Sequence, residues 1–155
     1  MSHRFKKILV AVAGYTDPAT GKRDRDRETI MERNIRYACN LAKHEDAKLA
    51  IIHVISLPTT IGLEFGVNLK VFEDAGRGIL QSAKTIAKEM SVEPETILER
   101  CFGNTAHKIV QVAENGKFDL ITISTKEHST LHNVLLGSVC DTVTRHAPCP
   151  VLVIR

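Results

Sequence analysis

The chain has 155 residues, is read as one domain over 1–155, and is long enough to bury a continuous core without staples. Its 43% hydrophobic and 25% charged shares are ordinary for a globular protein, and a net charge of +3 gives no case for nucleic acid, which needs a concentrated basic patch. No run approaches the roughly 20 apolar residues of a membrane span. The N-terminal stretch has no apolar signal-peptide region, so the expected compartment is the cytoplasm.

In chain order, Lys7–Ala13 is a continuous apolar run ending at Gly14, as suits a central parallel strand covered on both faces. Residues 14–29 form a polar excursion in which the charges of Lys22–Glu28 nearly cancel, suggesting a solvated loop or an extra helical turn, with a lid or an interface as its functional reading. From Ile30 to about Lys43, Met31, Ile35, Ala38 and Leu41/Ala42 make a helical stripe. Lys48–Ile55 is a second buried strand, and His53 within it reads first as a hydrogen-bonded core histidine.

Leu57–Asn68 is a loop punctuated by Pro58, Gly62 and Gly66. Phe72 to Met90 follows as a helix in which Gly76 and Gly78 each cost about 1 kcal/mol relative to Ala. Thr96–Phe102 has the mixed polarity of an edge strand. Asn104 or Thr105 caps a helix through Asn115, stopped by Asn115-Gly116. Leu120–Thr125 and Val151–Arg155 are two further β-branched strands, and between them Gly137-Ser138 opens a short helix. Arg145-His146 places positive charge at its end, where the dipole favours it.

This alternation predicts an α/β fold, an open parallel sheet with helices on both faces and a flavodoxin-like or Rossmann-like winding. Ligands of such sheets lie beyond the carboxyl ends of the strands where the winding reverses, here Ala13–Tyr15 and Ser124–Ser138. Cys39, Cys101, Cys140 and Cys149 form no Cys-x-x-Cys pair and read as buried free thiols. Cys140, just inside a helix start, is the position where a thiolate would be favoured. His128 and His132 at i, i+4 supply at most two metal ligands, so no metal is expected. Ser138, Asp141 and His146 lack the nucleophile elbow of a hydrolase.

The chain resembles the universal stress protein family over nearly its whole length. The resemblance rests on Lys-Ile-Leu-Val-Ala-Val, Ile-Ile-His-Val, Gly-Asn-Thr-Ala, Asp119-Leu120-Ile121, and Leu-Leu-Gly-Ser-Val through His-Ala-Pro-Cys-Pro-Val-Leu-Val-Ile. It implies a five-stranded parallel sheet in the order 3-2-1-4-5. It also implies a homodimer formed by antiparallel pairing of the last strand, here Val151, Leu152, Val153 and Ile154.

Members that bind ATP carry Gly-x-x-Gly, nine residues, then Gly-Ser or Gly-Thr, and end the first strand on an acidic residue. Here Ser124 and Glu127 stand at the two loop glycines and Ala13 at the acid, while Gly137-Ser138 survives. Glycine lets backbone N–H groups approach a triphosphate, and a carboxylate there repels it. The expectation is a non-catalytic, dimeric stress-response or signalling protein without tight ATP binding and with unidentified protein partners. The alternative is an adenine-nucleotide sensor for ATP, ADP or AMP. Ala13, Gly14, His53, Ser124, Thr125, Lys126, His128, Gly137, Ser138, Val139 and Cys140 would then form its site. A flavodoxin-like electron carrier would need stacking aromatics, and the chain has no Trp and only Tyr15 and Tyr37 as tyrosines.

Overall fold

The computed structural model describes residues 4–14, 22–57, 69–125 and 137–155. Five strands, β1 (Lys7–Ala11), β2 (Lys48–Leu57), β3 (Glu95–Phe102), β4 (Leu120–Ser124) and β5 (Val151–Ile154), alternate with four helices, α1 (Arg25–Glu45), α2 (Leu69–Glu89), α3 (Thr105–Asn115) and α4 (Ser138–His146). All strand pairs are parallel, as the alternation of strands and helices predicts, and the sheet order is β3-β2-β1-β4-β5, as the resemblance implies.

The sheet is covered on both faces, because each central strand alternates its apolar side chains between two cores. Ile8 and Val10 of β1 and Leu49 and Ile51 of β2 pack with Met31, Ile35 and Ala38 of α1 and Leu80, Ala83 and Ala87 of α2. On the other face Leu9, Ile52, Ile121 and Ile123 meet Ala106, Ile109 and Ala113 of α3 and Val143 of α4. At the amino ends of the strands the Asp119 carboxylate accepts from the N–H groups of Lys6 (2.8 Å) and Lys7 (2.9 Å). Lys7 Nζ donates to the Gly116 carbonyl at 2.7 Å. These bonds fix β1 against the start of β4 at the amino ends of the strands.

The largest departure from the sequence reading is the start of α1, which takes in Arg25–Thr29 from the polar excursion. Asp24 explains it: its side chain accepts from the N–H groups of Asp26 and Arg27, both at 3.1 Å, closing two of the unpaired donors of a helix start. Helix α2 likewise begins earlier, at Leu69. Strand β1 stops two residues sooner, at Ala11, although Val12 N–H still donates to the Ile52 carbonyl at 3.0 Å. Asn104 is the α3 cap, accepting from His107 N–H at 3.1 Å. Residues 15–21, most of the expected lid or interface, and 58–68, the expected glycine-punctuated loop, lie outside the described residues.

Candidate functional site

A cavity of about 640 Å³, bounded by the described residues, opens at the carboxyl ends of β1, β2 and β4. Its size falls within the roughly 300–1,000 Å³ of small-molecule pockets. It lies where the winding reverses between β1 and β4, the position the sheet topology assigns to ligands. Ala13, Gly14, His53, Ser124, Thr125, Gly137, Ser138, Val139 and Cys140 all line it. Lys126, His128, Glu127 and His132 lie outside the described residues.

The wall at β4 is built from the chain reversal into α4. Thr125 is buried, and its Oγ1 accepts from Gly137 N–H at 3.2 Å, drawing the helix start against the strand end. Asp141 N–H then donates to the Gly137 carbonyl at 2.9 Å to begin the helix. Side chains cap α1 and α3, but none caps α4, where Gly137 occupies the N-cap with no side-chain hydrogen bond. Uncapped N–H groups at the positive end of a helix dipole favour an anion. Gly137 has a φ of −55°, which any residue adopts, and a Cβ there would lie 3.7 Å from Thr125 Oγ1. The protein itself does not demand glycine at this position; its bareness keeps the wall open.

On the opposite side His53 Nδ1–H donates to the Val12 carbonyl at 3.0 Å, since a carbonyl can only accept. That bond assigns the remaining lone pair to Nε2. Burial holds the His53 pKa below its usual value, and the Val12 bond offsets part of that shift. The ring is hydrogen-bonded, as the core-histidine reading expects, but it is half-buried and forms part of the cavity wall. Gly76 of α2 lies against it, and a Cβ there would come within 2.8 Å of Leu98 Cδ1 and 3.3 Å of His53 Cδ2.

Cys140 corrects an expectation. It is buried, and burial pushes its thiol pKa up rather than favouring a thiolate, with Asp141 adding to the rise and the Thr144 bond opposing it. Its place at a helix start is outweighed by the cost of desolvating the charge. Cys39 is also buried, with its pKa pushed up to about 11, while Cys101 and Cys149 are partly exposed free thiols.

The sequence profile of the universal stress protein family matches residues 26–155. A universal stress protein of Methanocaldococcus jannaschii is 34% identical over 124 residues, covering 77% of this chain and 72% of that protein. The chain belongs to the universal stress protein family. The universal stress protein YxiE of Bacillus subtilis is 29% identical, with 97% of this chain and 99% of that protein covered. Among solved structures, a universal stress protein from Archaeoglobus fulgidus superposes with a TM-score of 0.72 at 22% identity, covering 98% of this chain and 95% of that one. A structure of the Archaeoglobus fulgidus universal stress protein in complex with dAMP gives 0.66 at 23% identity, covering 99% and 100%. A universal stress protein family member from Arabidopsis thaliana with AMP bound gives 0.65 at 18% identity, covering 96% and 90%.

The structure of this universal stress protein adds wall residues that the sequence reading did not assign to the site, among them Arg27, Phe72, Gly76 and Ile79. Arg27 had a detectable signal, because it stands four residues before Met31 and eight before Ile35 on the inward stripe of α1. Ser138 and His146 stand at opposite ends of α4, and Asp141 bonds Arg145 Nε at 3.0 Å, so they form no triad. Among the described residues no three His, Cys, Asp or Glu side chains converge as metal ligands, and no helix is long and apolar enough to cross a membrane.

Proposed function

We propose that this universal stress protein is a non-catalytic, homodimeric stress-response or signalling protein of the cytoplasm that lacks tight ATP binding. The observation that carries this reading is the wall at the ends of β1 and β4. Ala13 and Ser124 stand on it where ATP-binding members carry an acid and a loop glycine. Neither supplies the acidic partner or the backbone freedom that a triphosphate site of this kind uses. The described wall residues include no Asp or Glu, so that part of the wall offers no carboxylate general base. Isothermal titration of the full chain with ATP, ADP and AMP at millimolar ligand tests the reading. The expected result is no saturable ATP binding at micromolar affinity; finding such binding overturns it.

The cavity itself favours a second reading, an adenine-nucleotide sensor for a mono- or diphosphate. The space is present and the α4 start is uncapped. Structural relatives hold dAMP, AMP and cAMP, which supports nucleotides as a ligand class. In this reading Ser124, Thr125, Gly137, Ser138 and Val139 meet the phosphate, with Lys126 and His128 from the same connection assisting. Ile52–Val54 and the end of β1 flank the base. Gly137→Leu is then expected to abolish AMP binding; unchanged affinity rejects the placement.

A further inference from the structure

We propose that Arg27 selects the occupant of this cavity, so that the ligand carries a phosphate monoester and the corresponding neutral nucleoside is discriminated against. This inference rests on the nucleotide reading above and names the residue that gives it charge selectivity. Arg27 is the sole Lys or Arg among the described wall residues, and that wall holds no Asp or Glu. Its position follows from helix geometry. Residues at i, i+3 and i+4 share a helix face, so Arg27, Ile30 and Met31 lie together, and all three line the cavity. The stripe that buries Met31, Ile35 and Ala38 against the sheet therefore carries Arg27 past the strand ends, over the open mouth.

The side chain is held by one end. Its Nε contacts Asp24 Oδ2 at 3.3 Å, while Asp24 Oδ1 is engaged with the helix N–H groups. Among the described residues neither Nη of Arg27 donates a hydrogen bond, and Asp24 does not line the cavity. Nearby, Arg23 pairs with Glu28. A tethered guanidinium with two terminal nitrogens open suits the fork geometry of a phosphate. Across the same cavity stands the uncapped start of α4, so the field from both sides favours negative charge.

Calorimetric titration of the full chain with AMP and with adenosine tests this, using wild type, Arg27→Gln and Arg27→Lys. Wild type is expected to bind AMP at least about tenfold more tightly than adenosine, the scale of one hydrogen bond to a charged group. Arg27→Gln should lose about that factor for AMP, keep its adenosine affinity and retain the wild-type melting temperature; Arg27→Lys should fall between. Wild-type AMP affinity in Arg27→Gln, or equal loss for AMP and adenosine, overturns the role of Arg27 while leaving the nucleotide reading standing. Equal wild-type affinity for the two ligands also overturns it. Binding of neither by the wild type overturns both.

Discussion

His53 lies between two elements that must stay in register, its Nδ1 bonded to the Val12 carbonyl and its Cδ2 edge facing Gly76 of α2. Burial lowers its pKa, so the folded protein holds it neutral at a pH where the unfolded chain, titrating near about 6.5, already takes up a proton. Between those two values the unfolded state binds more protons. The stability contributed by the neutral ring is thus complete above the unfolded pKa and is lost as pH falls through the depressed folded one. Urea unfolding of wild type and His53→Gln at about pH 7.5 and about pH 5.5 checks this, because the wild type should lose more stability on acidification than the variant. Parallel pH profiles would show that His53 does not titrate on unfolding. A histidine inside an apolar strand is legible as a hydrogen-bonded residue, but its carbonyl partner, Val12 just past the end of β1, is not. Cys140 makes the same point in reverse, since its place at a helix start suggests a thiolate and only packing shows the burial that opposes one.

Helix α2 carries two glycines that sequence treats alike and packing separates. A Cβ on Gly78 meets nothing within 4 Å, whereas one on Gly76 falls 2.8 Å from Leu98 Cδ1 and 3.4 Å from Ile55 Cδ1. Gly76 thus lets α2 approach β2 and β3 closely and brings this part of the helix to the cavity wall. Gly78→Ala should raise stability by about 1 kcal/mol through helix propensity alone. Gly76→Val should lower it by about 1–3 kcal/mol through overpacking. Chemical denaturation reads both, and equal effects would refute the close approach. At this scale the strands and helices are legible because buried β-branched runs and apolar stripes carry their periods locally. The start of α1 was less legible, since a charged run resembles a loop until Asp24 is recognised as its cap. Arg27 lay concealed in that run, where its charge nearly cancels in the sum although its side chain faces the cavity.

The order β3-β2-β1-β4-β5 leaves β3 and β5 as the two edges of the sheet. Winding made the cavity's location legible, because strand ends on either side of a reversal must face the same crevice. It could not supply the contribution of α2 to the wall, which depends on helix rotation and on the close contact at Gly76. The same topology gives the proposed homodimer a physical test. Just before β5 the Pro150 carbonyl accepts from Ile121 N–H at 3.0 Å, and at its end the Ile154 carbonyl accepts from Thr125 N–H at 2.9 Å. Backbone direction alternates along a strand, so the N–H and C=O of Val151 and Val153 point away from β4 to the open edge. Val151, Leu152 and Val153 are each partly exposed along it. Proline is tolerated where an edge N–H faces outward, yet it removes the donor that an added strand needs. Val153→Pro should therefore convert a dimer to a monomer in light scattering while preserving the wild-type circular dichroism. A dimeric Val153→Pro would move the interface elsewhere, and a monomeric wild type would refute self-pairing through β5.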